Sequence, residues 1–246
     1  MSCPMSLLEL FLRCLNAEYI HTSAEGDYAL QIDPPYLYLL FEKSDGEDDW
    51  KNNLTFLAQK VDARAPKNEQ WYAHRGFLKV WRAMREEVFD RIGVAMQKYD
   101  IQEIVCVGYS HGAALALLAT EELSHRSNAQ YAVEGYGFGI PRVVWGFLPN
   151  IIQNRLKNFK SYRNMPDLVT HLPPVILGFR HINLYKIGEK GKYGPLEAHT
   201  SQAYVKELQQ IQANLSSTRE TVLSTKADKS SSVKWFFRSA YALIPR

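Results

Sequence analysis

Residues 104–119 read IVCVGYSHGAALALLA, and the fold of the whole chain follows from them. Ile104 to Val107 are small or β-branched apolar residues with the composition of a buried strand. Ala113 to Ala119 are almost pure helix formers. Between them, Gly108-Tyr109-Ser110-His111-Gly112 has the form Gly-x-Ser-x-Gly. A strand that turns sharply into a helix lifts a serine hydroxyl above the carboxyl end of a parallel sheet, on a strained backbone that larger neighbours would crowd. Gly108 and Gly112 supply the room, so Ser110 is the candidate nucleophile. The competing reading is a glycine-rich turn with an idle serine.

The rest of the chain suits such a sheet. Its 246 residues are enough for one large α/β domain that buries roughly 70% of its unfolded surface. A formal charge of +3 is too mild for a nucleic-acid surface. No cysteine or histidine cluster has metal-ligand spacing, so neither a metal nor a cofactor is expected. Cys3, Cys14 and Cys106 are odd in number and scattered, which argues against a disulfide framework and for a reducing, cytoplasmic setting. The apolar run LLELFL at 7–12 is broken by Glu9 and closed by Arg13, unlike a signal peptide, and no stretch is long enough to span a membrane.

Ser6 and Glu9 form a capping box ahead of an amphipathic helix with Leu7, Leu10, Phe11 and Cys14 on its apolar side. Residues 36–42 read as a buried strand, and 71–98 begin with WYAHRGF and continue as a helix with apolar positions at Leu78, Trp81, Met84, Val88, Ile92 and Met96. After the helix that follows Ser110, strands are expected at 131–138, 159–162 and 181–187, then a helix just beyond His199. Strands alternating with helices predict a mainly parallel, doubly wound sheet with helices on both faces. That domain is expected to span 1–214. Residues 215–232, rich in Ser, Thr and Lys, read as a polar linker, and 233–246 as a C-terminal amphipathic helix.

A serine hydroxyl becomes a nucleophile when a histidine takes its proton and a carboxylate orients that histidine. On this type of sheet the order is Ser, acid, His. Beyond Ser110 the aspartates are Asp167 and Asp228; Asp167 follows a short strand, whereas Asp228 lies in the polar stretch. Of the later histidines, His171 is close to Asp167 in the same loop and His181 opens an alternating strand. His199 stands in a loop at a helix start, from which an imidazole can reach over the sheet edge, and is preferred.

With these residues in hand, the sequence resembles the class 3 lipases, an α/β-hydrolase family, over about residues 8–210. His74-Arg75-Gly76-Phe77 resembles the family's HxGF, and GYSHGAAL resembles GHSLGGAL. FGIPRV at 138–143 resembles FGxPRV, NMPDLVTHLPP at 164–174 resembles the aspartate-bearing NxxDxVPxLPP, and His199 with Tyr204 resembles the closing His and Tyr. The resemblance implies a triad of Ser110, Asp167 and His199. It also implies an oxyanion hole from the backbone N–H groups of Ser44 and His111, although Glu42-Lys43-Ser44 departs from the family's Arg-Gly-Ser or Arg-Gly-Thr.

These residues imply a hydrolase of carboxylic esters whose partner is a lipid or small-molecule ester. The alternatives are an inactive lipase-fold binding protein, and an acyltransferase or thioesterase on the same triad. Residues 45–57 resemble the family's lid, with Trp50, Leu54 and Phe56 or Leu57 as its apolar face. Asp45, Glu47, Asp48 and Asp49 would be repelled by anionic lipid, so neutral lipids or dispersed esters are the expected preference. The stretch 233–246 is expected to dock on the protein's own core, with peripheral binding to a lipid surface as the alternative.

Overall fold

The computed structural model describes residues 3–23, 26–42 and 56–227. Helix α1 (Leu7–Leu15) starts as its sequence dictates. The Ser6 hydroxyl accepts from the Glu9 N–H at 3.2 Å, and the Glu9 carboxylate accepts from the Ser6 N–H at 2.7 Å. Strands β1 (Tyr28–Asp33) and β2 (Tyr36–Phe41) follow as an antiparallel hairpin. Short strands β3 (Ala58–Lys60) and β4 (Tyr72–His74) lead into α2 (Arg75–Lys98). Then come β5 (Glu103–Tyr109), α3 (His111–Arg126) and β6 (Ala132–Phe138). After β7 (Val144–Trp145), α4 (Asn150–Arg155) precedes β8 (Phe159–Asn164), β9 (Phe179–Arg180), β10 (Leu184–Ile187) and α5 (Ser201–Ala227).

The main sheet has the order β1-β2-β5-β6-β8-β10, and every pairing except the β1–β2 hairpin is parallel. Period-two alternation divides its side chains between two layers. Leu37, Leu39, Phe41, Ile104 and Cys106 join the core built with α2 and α3, where the Trp81 indole also donates to Glu122 on α3 at 2.8 Å. Tyr109 and Phe138 face the other way and meet Phe11 of α1 at ring separations of 5.3 and 4.8 Å. Burying both sheet faces explains why these strands read as continuous apolar runs.

Several expectations shift. The strand predicted at 181–187 is confined to Leu184–Ile187, because Asn183 takes a left-handed φ of 41° that interrupts the extended backbone. Residues 71–98 begin with β4 before turning helical. A second, antiparallel sheet, β3-β4-β7-β9, has strands of only two or three residues, too short to show periodicity. The chain divides into two compact units, Met1–Leu208 and Gln209–Arg246, and not at 214. Residues 215–227, expected as a linker, continue α5: no glycine or proline interrupts 201–227, and Ser and Thr cost a helix only tenths of a kcal/mol each. The remainder of the expected linker and the helix expected at 233–246 lie outside the described residues.

The three cysteines are free and buried. Among the described residues, no helix is long and apolar enough to cross a membrane.

Candidate active site

The turn from β5 into α3 holds Ser110 at φ 56°, ψ −121°, in a region that L residues avoid. The two glycines make it buildable. A Cβ on Gly108 would strike the backbone of Gly112 and Ala113, and one on Gly112 would strike the carbonyls of Phe41 and Glu42. The turn is pinned to the neighbouring strand, since the Ser110 N–H donates to the Phe138 carbonyl at 2.9 Å.

Asp167 stands in the loop after β8 and is fully buried. Its carboxylate accepts three hydrogen bonds: from the Val169 N–H at 2.9 Å, from the Tyr204 hydroxyl at 2.7 Å, and from Nδ1 of His199 at 2.8 Å. His199 closes a short 3-10 turn, Glu197–His199, and Thr200 caps α5 by accepting from the Ala203 N–H at 3.2 Å. The turn is tied to the aspartate loop by the Leu168 N–H, which donates to the Pro195 carbonyl at 3.0 Å. Nε2 of His199 lies 2.8 Å from the Ser110 hydroxyl oxygen.

Because Nδ1 faces a carboxylate, it carries the proton, and Nε2 is left with a lone pair aimed at the Ser110 hydroxyl. The structure thus brings Ser110, His199 and Asp167 into one chain of hydrogen bonds. His171 and His181 are engaged elsewhere: Nδ1 of His171 bonds the Asp167 carbonyl at 2.8 Å, and Nε2 of His181 bonds the Thr170 carbonyl at 2.7 Å.

Two tyrosines hold this chain in place. Tyr204 donates to Asp167 and also accepts from the Asn164 N–H at 3.0 Å. Tyr109, the residue before Ser110, donates to the His199 carbonyl and lies against its imidazole, ring centroids 5.4 Å apart. Burial, and then the nearby Asp167, push both phenols well above their usual range, so each stays protonated and donating. Gly139, at φ 59°, lets the chain pass beneath the imidazole; a Cβ there would sit 3.0 Å from His199 Cε1. Tyr204 was legible as part of a motif, but neither tyrosine's contact was. An aromatic residue at a core position has no sequence signal that separates packing from positioning.

Beside the serine, the His111 ring meets Phe77 at 5.4 Å, Phe77 meets His74 at 4.6 Å, and His74 meets Phe179 at 5.6 Å. Burial lowers the His74 pKa to about 4, with His111 and Arg75 adding to the effect, so at neutral pH this aromatic wall is uncharged there. His111 is the first residue of α3, where backbone N–H groups have no intrahelical acceptor. Ser44, the other expected oxyanion donor, and residues 45–55 of the expected lid lie outside the described residues. Among the described residues, no group of three or more His, Cys, Asp or Glu side chains is arranged to hold a metal ion.

The parallel sheet with a serine on a strand-to-helix elbow defines an α/β-hydrolase, and the solved structures similar to this one are of that kind. The mono- and diacylglycerol lipase of Aspergillus oryzae superposes with a TM-score of 0.57 at 24% identity, over 72% of this chain and 64% of that one. A mutant form of MDLA from Penicillium cyclopium superposes at 0.61 and 22% identity, over 72% and 65%. The family model described as lipase (class 3) matches residues 38–177, and the chain belongs to that family. Its relatives include the lipase of Rhizomucor miehei, 26% identical over 59% of this chain, and the secreted mono- and diacylglycerol lipase A of Penicillium cyclopium, 26% identical over 66%. The chain spans 39% and 51% of the lengths of those two proteins.

Proposed function

We propose that this chain hydrolyses carboxylic esters of the acylglycerol type through an acyl-enzyme on Ser110. His199 Nε2 takes the hydroxyl proton as the Ser110 oxygen attacks the ester carbonyl, and Asp167 stabilises the imidazolium that forms. The tetrahedral oxyanion is held by the His111 N–H and, from the family pattern, by the Ser44 N–H. Collapse of this intermediate breaks the bond to the leaving alcohol, which takes the proton from His199. Water, deprotonated by the same nitrogen, then attacks the acyl-enzyme, and the carboxylic acid leaves with Ser110 restored.

The observation that carries this reading is the pair of 2.8 Å contacts that link Ser110 to Asp167 through one imidazole. Family membership and relatives named as mono- and diacylglycerol lipases support the substrate class. A fluorophosphonate reports an activated serine independently of substrate. The parent should label and Ser110→Ala should not; an unlabelled parent, or a labelled alanine variant, overturns the mechanism.

A further inference from the structure

A second cavity lies beside the ribbon formed by β7 and β9, and none of the residues that line it is Ser110, Asp167 or His199. A cavity of about 460 Å³ opens there, with Phe147, Lys157, Arg180 and His181 among its lining residues and no carboxylate. The Arg180 guanidinium lies 4.0 Å from the centre of the Phe147 ring. Neither Lys157 nor Arg180 has an ion-pair partner among the described residues, whereas nearby Arg155 is satisfied by Glu69 and Glu121. The cavity walls are braced: Gln153 donates to the Leu148 carbonyl at 2.8 Å, and Asn183 to the Phe159 carbonyl at 2.9 Å. The Lys157 ammonium has no partner among the described residues and the Arg180 guanidinium has only the face of the Phe147 ring, so the N–H groups of both are free to bind an anion.

The same ribbon carries the most exposed large apolar side chains among the described residues, Ile176 at 92% and Phe147 at 83%. Their placement is held by backbone geometry. Trp145 donates from its indole to the Leu177 carbonyl at 2.9 Å, fixing the turn Val175–Leu177, and the Gly146 N–H donates to the Gly178 carbonyl at 3.0 Å. Water-exposed apolar groups beside an unpaired cationic cavity match one kind of partner: an interface with anionic phosphate at its surface and hydrocarbon just below. A soluble anion would leave Ile176 without a role. An uncharged surface would leave Lys157 and Arg180 without one.

We propose that this face docks the protein on a phospholipid surface, with Lys157 and Arg180 taking a headgroup phosphate and Phe147 and Ile176 entering the acyl boundary. The test uses the full chain carrying Ser110→Ala, so that no lipid is consumed and the result does not depend on the proposed hydrolysis. Sedimentation with phosphatidylcholine vesicles, with and without phosphatidylglycerol, measures binding at low salt. Each cation near an anionic surface contributes about fivefold in affinity. Adding Lys157→Gln and Arg180→Gln together should therefore weaken binding to the phosphatidylglycerol vesicles by roughly 25-fold, with little effect on phosphatidylcholine alone, and added salt should shrink the difference. Phe147→Ser and Ile176→Ser should weaken binding to both vesicles. All four side chains are exposed, and circular dichroism will show the variants folded. Because only these residues change, contributions from acidic residues 45–49 and the C-terminal stretch cancel between parent and variant. Equal binding of the parent and the glutamine variant to phosphatidylglycerol overturns the proposal. Saturable protection from thermal unfolding by inorganic phosphate, without vesicle binding, overturns it in favour of a soluble anion.

Discussion

Replacing Tyr204 with phenylalanine removes one oxygen atom, and the structure sets the consequence. The ring stays, so its contacts with Phe11 and Tyr109 at 5.8 and 5.7 Å survive and no cavity opens. Two buried hydrogen bonds are lost: the 2.7 Å bond donated to Asp167 and the 3.0 Å bond accepted from the Asn164 N–H. A bond to a charged group contributes about 1.5–3 kcal/mol, and a buried N–H left without an acceptor costs about 1–3 kcal/mol. Allowing for local relaxation, the net loss should be about 3 kcal/mol. At roughly 2–4 °C per kcal/mol for a domain of this size, melting should fall by about 6–12 °C.

Activity should suffer separately. Asp167 would keep its bonds to Val169 and His199 but lose the donor that fixes Oδ2, so the imidazole it orients would be less well held. We expect kcat on a soluble ester to fall about tenfold with KM little changed, far less than the roughly 10⁴-fold typical when the triad carboxylate itself is altered. Calorimetry and steady-state hydrolysis of a chromogenic ester measure the two effects. A melting temperature within about 2 °C of the parent, together with kcat within about twofold, would refute the idea that the Tyr204 hydroxyl holds Asp167.

Two further outcomes follow from the same geometry. His199→Ala should lower ester turnover by about 10⁴-fold, while His181→Ala, whose ring bonds Thr170 outside the triad, should retain most of it; the reverse pattern would show that a different histidine serves Ser110. Acid stability should depend on His74, whose folded pKa of about 4 lies below the ordinary 6.5 because its ring is buried. The fold favours the neutral ring, so this contribution is complete above pH 6.5 and is lost as pH falls towards 4. It amounts to about 3 kcal/mol across that window. Nδ1 of His74 is buried without a hydrogen-bond partner among the described residues, so His74→Phe should be close to neutral in stability at pH 7 and should keep what the parent loses on acidification. Urea melts at stepped pH measure this, and parallel acid limbs in parent and variant would disprove it.

What the sequence determined by itself was local. The elbow was legible because strand formers, glycine spacing and helix formers sit within sixteen consecutive residues, and the steric demand at Gly108 and Gly112 is made by the turn itself. The placement of Asp167 and His199 in loops was legible because a short strand ends just before one and a helix starts just after the other. Their meeting was not, since it depends on where β8 and α5 lie beside β5 across 89 residues of chain. The antiparallel edge strand β1 escaped notice because its polar residues hide the strand pattern and hairpin pairing with β2 holds it, and the small second sheet escaped notice because pairing across the chain, and not periodicity, stabilises strands of two or three residues. Composition misread residues 215–227, because polar helix formers without a breaker resemble a linker until the backbone is seen. Only the tertiary structure gave Tyr109 and Tyr204 their partners and brought Lys157 and Arg180 to one cavity. Hydrogen bonds and charge pairing act through space, and no spacing along a chain encodes which polar groups will be left facing each other or facing solvent.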